Sequence, residues 1–125
     1  MGEVKVLLVD DEPMFLEALT ALLENDDRIA VVGTADTGER AVALARSKRP
    51  DVALVDLAMP GVDGFELTRR LVSTEPAPRV VAVSGFASST HARRAREAGA
   101  SGFLLKGGLH DEVAETIVAV SGEPT

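Results

Sequence analysis

Four short apolar runs, Val4 to Val9, Val52 to Val55, Val80 to Val83 and Phe103 to Leu105, each end at a polar residue: Asp10 with Asp11, Asp56, Ser84 and Lys106. After each run the apolar residues take up helical spacing, which is how a chain returns to begin another strand in the same direction. Parallel strands connected this way deliver their carboxyl ends to one edge of one sheet. Three carboxylates, a hydroxyl and an amine are therefore expected at a common edge.

The remaining elements complete an alternating pattern. Pro13 suits a first helical turn because its missing N–H would lack a partner there anyway, with Asp11 or Glu12 as the cap. Phe15, Leu16, Leu19, Leu22 and Leu23 supply that helix with a buried face. Ile29 to Ala35 reads as the second strand, and Asp36 or Thr37 caps a helix whose stripe is Ala41, Val42, Leu44 and Ala45. Val52 to Val55 is apolar throughout, the pattern of a central strand covered on both faces. Pro60-Gly61 fits a type II turn, and Asp63 caps a third helix reaching about Ser73. Arg79 to Val83 is the fourth strand, and Gly85 beside Ser84 leaves room above the sheet edge. A helix opening at Ser88 or Ser89 closes at Gly99, Gly102 to Leu105 is the fifth strand, and Asp111 opens a last helix with Val113, Ile117, Val118 and Val120 inside. The expected fold is α/β: a doubly wound, five-stranded parallel sheet of order 2-1-3-4-5 between two helical layers.

Composition narrows the function. The 125 residues carry 13 Lys plus Arg against 20 Asp plus Glu, a net charge of −7, so a DNA backbone would be repelled. Cysteine is absent, which removes disulfides and thiolate metal sites and agrees with a reducing cytosol. No stretch approaches the roughly 20 apolar residues of a bilayer span, and there is no signal-peptide pattern. Met1-Gly2 opens like a myristoylation signal, but Val6 stands where that motif needs Ser or Thr.

At the sheet edge, Asp10, Asp11 and Asp56 repel one another: at about 5 Å and an effective dielectric near 20, each like pair costs roughly 3 kcal/mol. Lys106 supplies one compensating charge, and a hard divalent cation with oxygen ligands, Mg²⁺, would supply more. Asp56, alone at the tip of the central strand, suits a carboxylate nucleophile forming an acyl phosphate. Lys106 and the metal would then neutralise the phosphoryl oxygens, and Ser84 could donate to one of them.

These residues carry a resemblance. Leu8-Val9-Asp10-Asp11-Glu12, Asp56-Leu57-Ala58-Met59-Pro60-Gly61-Val62-Asp63-Gly64, Val83-Ser84-Gly85 and Gly102-Phe103-Leu104-Leu105-Lys106 together resemble the receiver domain of bacterial two-component response regulators. The match runs in order along essentially the whole chain. It implies a flavodoxin-like (βα)5 fold over residues 1–121, with 122–125 beginning a linker to an output domain outside this sequence. It implies a cytoplasmic switch in which Asp56 takes a phosphoryl group from a sensor histidine kinase. Asp11 and Asp56 would bind Mg²⁺ with the Ala58 carbonyl, and Asp10 would assist through water. Ser84 and Lys106 would contact the phosphoryl group, and Phe103 stands at the aromatic switch position.

Val32-Gly33-Thr34-Ala35-Asp36-Thr37-Gly38-Glu39 and the closing Val120-Ser121-Gly122-Glu123 are most similar to receivers joined to LuxR-type helix-turn-helix domains, implying transcriptional control, DNA contact through the output domain and phosphorylation-dependent homodimers. Many relatives have proline after the motif lysine in a cis peptide; here it is Gly107, which favours a trans or rearranged loop. Ala58 and Phe86 occupy the positions that tune hydrolysis in this family, and neither offers a polar group to align water.

Plainer readings stand beside these. Asp10-Asp11 alone is as readily a capping turn, Lys106 a solvated strand end, Ser84 a turn residue and Phe103 plain core. His91, Arg93, Arg94 and Arg96 form a basic cluster that is more often a wet helix face than a recognition surface. Among other functions, a Mg²⁺ phosphatase of the haloacid-dehalogenase type wants Asp-x-Asp, whereas Leu57-Ala58 follows Asp56. No Gly-x-Gly-x-x-Gly follows the first strand, which argues against a dinucleotide module. A degenerate receiver acting as an interaction module would not need the complete acidic set with its lysine.

Overall fold

The computed structural model describes residues 3–122. Strands β1 (Val4–Val9), β2 (Ile29–Ala35), β3 (Val52–Asp56), β4 (Arg79–Ser84) and β5 (Gly102–Leu105) alternate with helices α1 (Pro13–Glu24), α2 (Gly38–Lys48), α3 (Gly64–Val72), α4 (Ser89–Glu97) and α5 (Leu109–Ser121). Every pairing is parallel and the order is β2-β1-β3-β4-β5, so the doubly wound fold expected from the apolar runs is borne out.

The period of two along a strand divides the core. Leu7, Val9, Ala53, Val55, Val80 and Ala82 pack with α2, α3 and α4, whereas Val6, Leu8, Val52, Leu54, Val81 and Val83 pack with α1 and α5. That two-sided burial is why β1, β3 and β4 read as unbroken apolar runs. By the same alternation Asp56 leans toward the α1 and α5 layer and Ser84 toward the α2 to α4 layer.

The loops above the carboxyl edge are set by local chemistry. Pro60 and Gly61, the latter at φ 71°, turn the chain so that the Val62 N–H donates to Met59 O at 3.2 Å, the expected type II turn. Asp63 caps α3 by accepting from the Phe65 and Glu66 N–H groups, Thr37 caps α2 and Ser88 caps α4. Gly99, at φ 113°, follows the end of α4 as the left-handed residue.

Three local expectations are corrected. Neither Asp11 nor Glu12 caps α1 through its side chain; instead Asp10 Oδ1 accepts the Glu12 N–H at 2.9 Å, and Glu12 reaches toward Lys106. Leu22 is exposed, because the buried side of α1 runs through Leu19 and Leu23. α5 begins at Leu109 rather than Asp111, since a single 3-10 turn over Lys106–Gly108 feeds straight into it. The linker expected at 122–125 lies outside the described residues except for Gly122, which ends α5.

Candidate functional site

Asp10 follows β1, Asp56 ends β3, Ser84 ends β4 and Lys106 follows β5, so adjacent strands in the order β1-β3-β4-β5 present them along one edge. Two backbone bonds fix the acidic pair of strands: the Asp10 N–H donates to Ala35 O at 3.0 Å and the Leu57 N–H to Val83 O at 2.9 Å. Asp10, Asp11 and Asp56 each offer a carboxylate oxygen lying within 4.8 Å of the other two. Asp10 and Asp56 are buried and Asp11 is half-buried.

Lys106 closes this acidic pocket. Its Nζ lies 2.9 Å from Asp10 Oδ2 and 3.2 Å from Asp56 Oδ2, contacts Glu12 Oε1, and sits 4.5 Å from the centre of the Phe15 ring. Burial works against the ammonium, but Glu12, Asp10 and Asp56 outweigh it and hold Lys106 above its ordinary pKa. The Lys106–Gly107 peptide is trans; among the described residues the cis bond is Glu75–Pro76.

Each buried carboxylate has one oxygen held by main chain. Asp10 Oδ1 takes the Glu12 N–H, and Asp56 Oδ1 takes the N–H of exposed Ala58 at 3.0 Å. Asp10 Oδ2 is fully buried without a hydrogen bond; Lys106 approaches it as a charge, outside hydrogen-bonding angles. Burial raises the Asp10 carboxyl above its usual pKa and the Asp56 charge adds to this, against the pull of Lys106 and the Glu12 N–H. A buried, under-coordinated oxygen beside two more carboxylates is the donor set of a hard, oxygen-seeking cation, so Mg²⁺ fits the residues present.

Ser84 is buried, and its hydroxyl is committed locally: Oγ accepts the Phe86 N–H at 3.1 Å and donates to Phe86 O at 3.3 Å. Gly85 between them has no atom within 4 Å of where a Cβ would stand, so the space above the edge is open. Phe103 is half-buried against the α2 to α4 core and pairs with Ala82 across β4 and β5. Arg93, Arg94 and Arg96 are exposed, with Arg94 covering the Phe65 ring at 4.0 Å.

Two members of the pocket were not foreseen. Glu12 and Phe15 stand three residues apart at the start of α1 and share a face, and that spacing was the available signal. Tight packing behind Asp56 is the other addition: a Cβ on Gly64 would lie 2.6 Å from Leu57 Cα, so only glycine lets α3 approach the residue after Asp56.

Residues 6–118 match the response regulator receiver domain family. The chain belongs to that family. It is thus a receiver domain of the two-component response regulators. Across 91% of its length it is 39% identical to the response regulator GacA of Pseudomonas aeruginosa, and across 97% it is 38% identical to the transcriptional regulatory protein LiaR of Bacillus subtilis. This receiver spans 53% of GacA and 58% of LiaR, about half the length of these relatives. The signal receiver domain of NarL from Mycobacterium tuberculosis superposes with a TM-score of 0.90 at 34% identity, covering 98% of this chain and 100% of that one. Among the described residues no helix is long and apolar enough to cross a membrane.

Proposed function

We propose that this receiver is a phosphorylation-driven switch whose phosphoacceptor is Asp56. The observation that carries the reading is the grip on that carboxylate: Oδ1 is held by the Ala58 N–H at 3.0 Å, while Oδ2 faces the Lys106 ammonium at 3.2 Å, beside two further carboxylates. A buried carboxylate fixed by both oxygens and flanked by a cation is oriented to attack phosphorus.

The donor is a sensor histidine kinase. An Asp56 oxygen attacks the phosphoryl group of a phosphohistidine; the P–O bond forms as the P–N bond breaks, and the electron pair returns to the imidazole nitrogen. Lys106 neutralises charge on the transferring oxygens, and Ser84, once turned from Phe86, donates to one of them. Asp11, Asp56 and the Ala58 carbonyl would hold Mg²⁺, with Asp10 assisting through water, and the metal would supply further neutralisation of the carboxylates and the phosphoryl oxygens. Phe103 follows the Ser84 shift and passes it to the surface of α4, β5 and α5.

The domain turns over no external substrate beyond its own phosphorylation and dephosphorylation. Residues 1–121 form the receiver and 122–125 lead to a DNA-binding output domain, so the signal ends in transcription, with phosphorylation-dependent homodimers as the active form in the cytoplasm. The test is intact mass after incubation with acetyl phosphate and Mg²⁺. Gain of one phosphoryl group, absent in Asp56→Asn, supports the reading; no gain in the unaltered protein overturns it.

A further inference from the structure

We infer that His91 is a positioning residue for Ser84: its imidazole holds the Phe86 ring, and through the Phe86 main chain it keeps the Ser84 hydroxyl away from the phosphoryl position. The inference rests on Asp56 being the phosphoacceptor and concerns how that site is regulated.

Ser84 has one hydroxyl proton, and it is spent on Phe86 O at 3.3 Å while Oγ accepts the Phe86 N–H at 3.1 Å. Donating to a phosphoryl oxygen means breaking the first of these bonds. The readiness of Ser84 therefore depends on how firmly Phe86 is held. Phe86 is 67% exposed, so burial does little to fix it. Among the described residues its ring meets one other ring, that of His91, edge-on at 6.3 Å between centres and 66° between planes.

His91 also meets a second ring. Its ring lies 6.0 Å from that of Phe65, which is 8% exposed and covered in turn by the Arg94 guanidinium at 4.0 Å. The His91 N–H donates to Ser88 Oγ at 3.2 Å, which fixes the first turn of α4. Nδ1 is buried and makes no hydrogen bond, so no polar contact of that nitrogen competes with the aromatic ones in setting the ring. Phe65, His91 and Phe86 form a row from the core to the loop. Gly85, with open space around it, is the point where the loop can swing once the row parts.

In this arrangement the resting state holds Ser84 engaged, and a phosphoryl group must overcome the Phe86 and His91 contact to recruit the hydroxyl. Such a contact lowers the population of the competent state and weakens apparent affinity for anything that needs it.

The test uses beryllofluoride with Mg²⁺ as a phosphoryl mimic, titrated against ¹⁵N-labelled protein by NMR, together with hydrogen exchange at the Phe86 amide. His91→Ala is expected to bind about 2- to 10-fold more tightly, the range expected for losing one aromatic contact. Its Phe86 amide should exchange faster. His91→Phe keeps a ring between Phe65 and Phe86, and should restore both the wild-type affinity and the slow exchange. If His91→Ala is unfolded by thermal melting, Phe86→Ala removes the other half of the contact and should tighten binding likewise. Unchanged affinity with unchanged Phe86 exchange overturns the inference, as does an equal gain in His91→Phe. A wild-type domain that binds no beryllofluoride would instead overturn the phosphoacceptor reading, and this one with it.

Discussion

The Lys106 ammonium stands 3.2 Å from Asp56 Oδ2, joining residues 50 positions apart across the carboxyl edge of the sheet. The same nitrogen is 2.9 Å from Asp10 Oδ2, so one cation restrains two buried carboxylates. Its loss leaves them facing each other in a pocket with little water. Lys106→Ala should lower stability by about 3 kcal/mol in the absence of divalent cation, the low end of what removing one partner of a buried ion pair costs, because the Lys106 side chain is 20% exposed. The deficit should shrink at saturating Mg²⁺, as read by urea unfolding with and without the metal. Because the ammonium is held above its usual value of 10.5, its contribution is complete below that pH and is lost only as pH rises through the higher folded value.

Asp10 behaves in the opposite sense. Burial raises its pKa above the usual 3.8, so the folded state holds that proton more firmly, and stability falls as pH rises from 3.8 through the folded value. Asp10→Asn should remove this slope and raise the melting temperature at pH 7 by about 3 °C, corresponding to roughly 1 kcal/mol in a domain of this size. The same change should weaken the Mg²⁺-dependent rise in melting temperature. A variant that melts lower than the parent without metal would contradict the repulsion.

Gly64 and Gly85 make a matched pair. A Cβ at Gly64 meets Leu57 Cα at 2.6 Å and Leu57 O at 2.9 Å, both backbone atoms beside Asp56, whereas one at Gly85 meets nothing within 4 Å. Gly64→Ala should cost about 1–3 kcal/mol through overpacking and disturb Mg²⁺ binding. Gly85→Ala should stay within about 0.5 kcal/mol of the parent. Denaturant midpoints of the two variants check this directly.

At the far end of the molecule Arg28 clamps Asp26 through Nε at 3.0 Å, Nη2 at 2.8 Å and its own N–H at 2.9 Å. Those hydrogen bonds lower the Asp26 carboxyl from 3.8 to about 2. Its stabilising effect is therefore present above pH 3.8 and disappears as pH falls toward about 2. Arg28→Ala should return the Asp26 midpoint toward 3.8 in a carboxyl ¹³C titration, with no change at the acidic pocket.

Hydrolysis of the acyl phosphate should be slow, on a scale of minutes or longer. Neither the methyl group of Ala58 nor the exposed ring of Phe86 can orient an attacking water. Loss of the label within seconds in a phosphate-release assay would contradict this.

Much of the molecule was legible because burial on both faces leaves a mark that sequence keeps. Val52 to Val55 is apolar at every position since helices cover both sides of β3, and the polar residue closing such a run marks the sheet edge. The gathering of Asp10, Asp56 and Lys106 followed from that alternation alone. Spacing puts Glu12 and Phe15 on one helix face, but their contact with Lys106, 94 positions beyond Glu12, leaves no local mark in the sequence. The Ser84 to Phe86 bonds were missed because a hydroxyl in a loop has several local partners of similar energy. The row of Phe65, His91 and Phe86 joins α3, α4 and a loop, and no periodicity links those positions.

The most direct measurement is chemical trapping. The protein is incubated with acetyl phosphate and Mg²⁺, the acyl phosphate is reduced with borohydride, and the product is mapped by peptide mass spectrometry. Homoserine at position 56, dependent on Mg²⁺ and abolished by EDTA, is the expected result. Reduction at any other aspartate, or at none while phosphate is incorporated elsewhere, would contradict the assignment of Asp56.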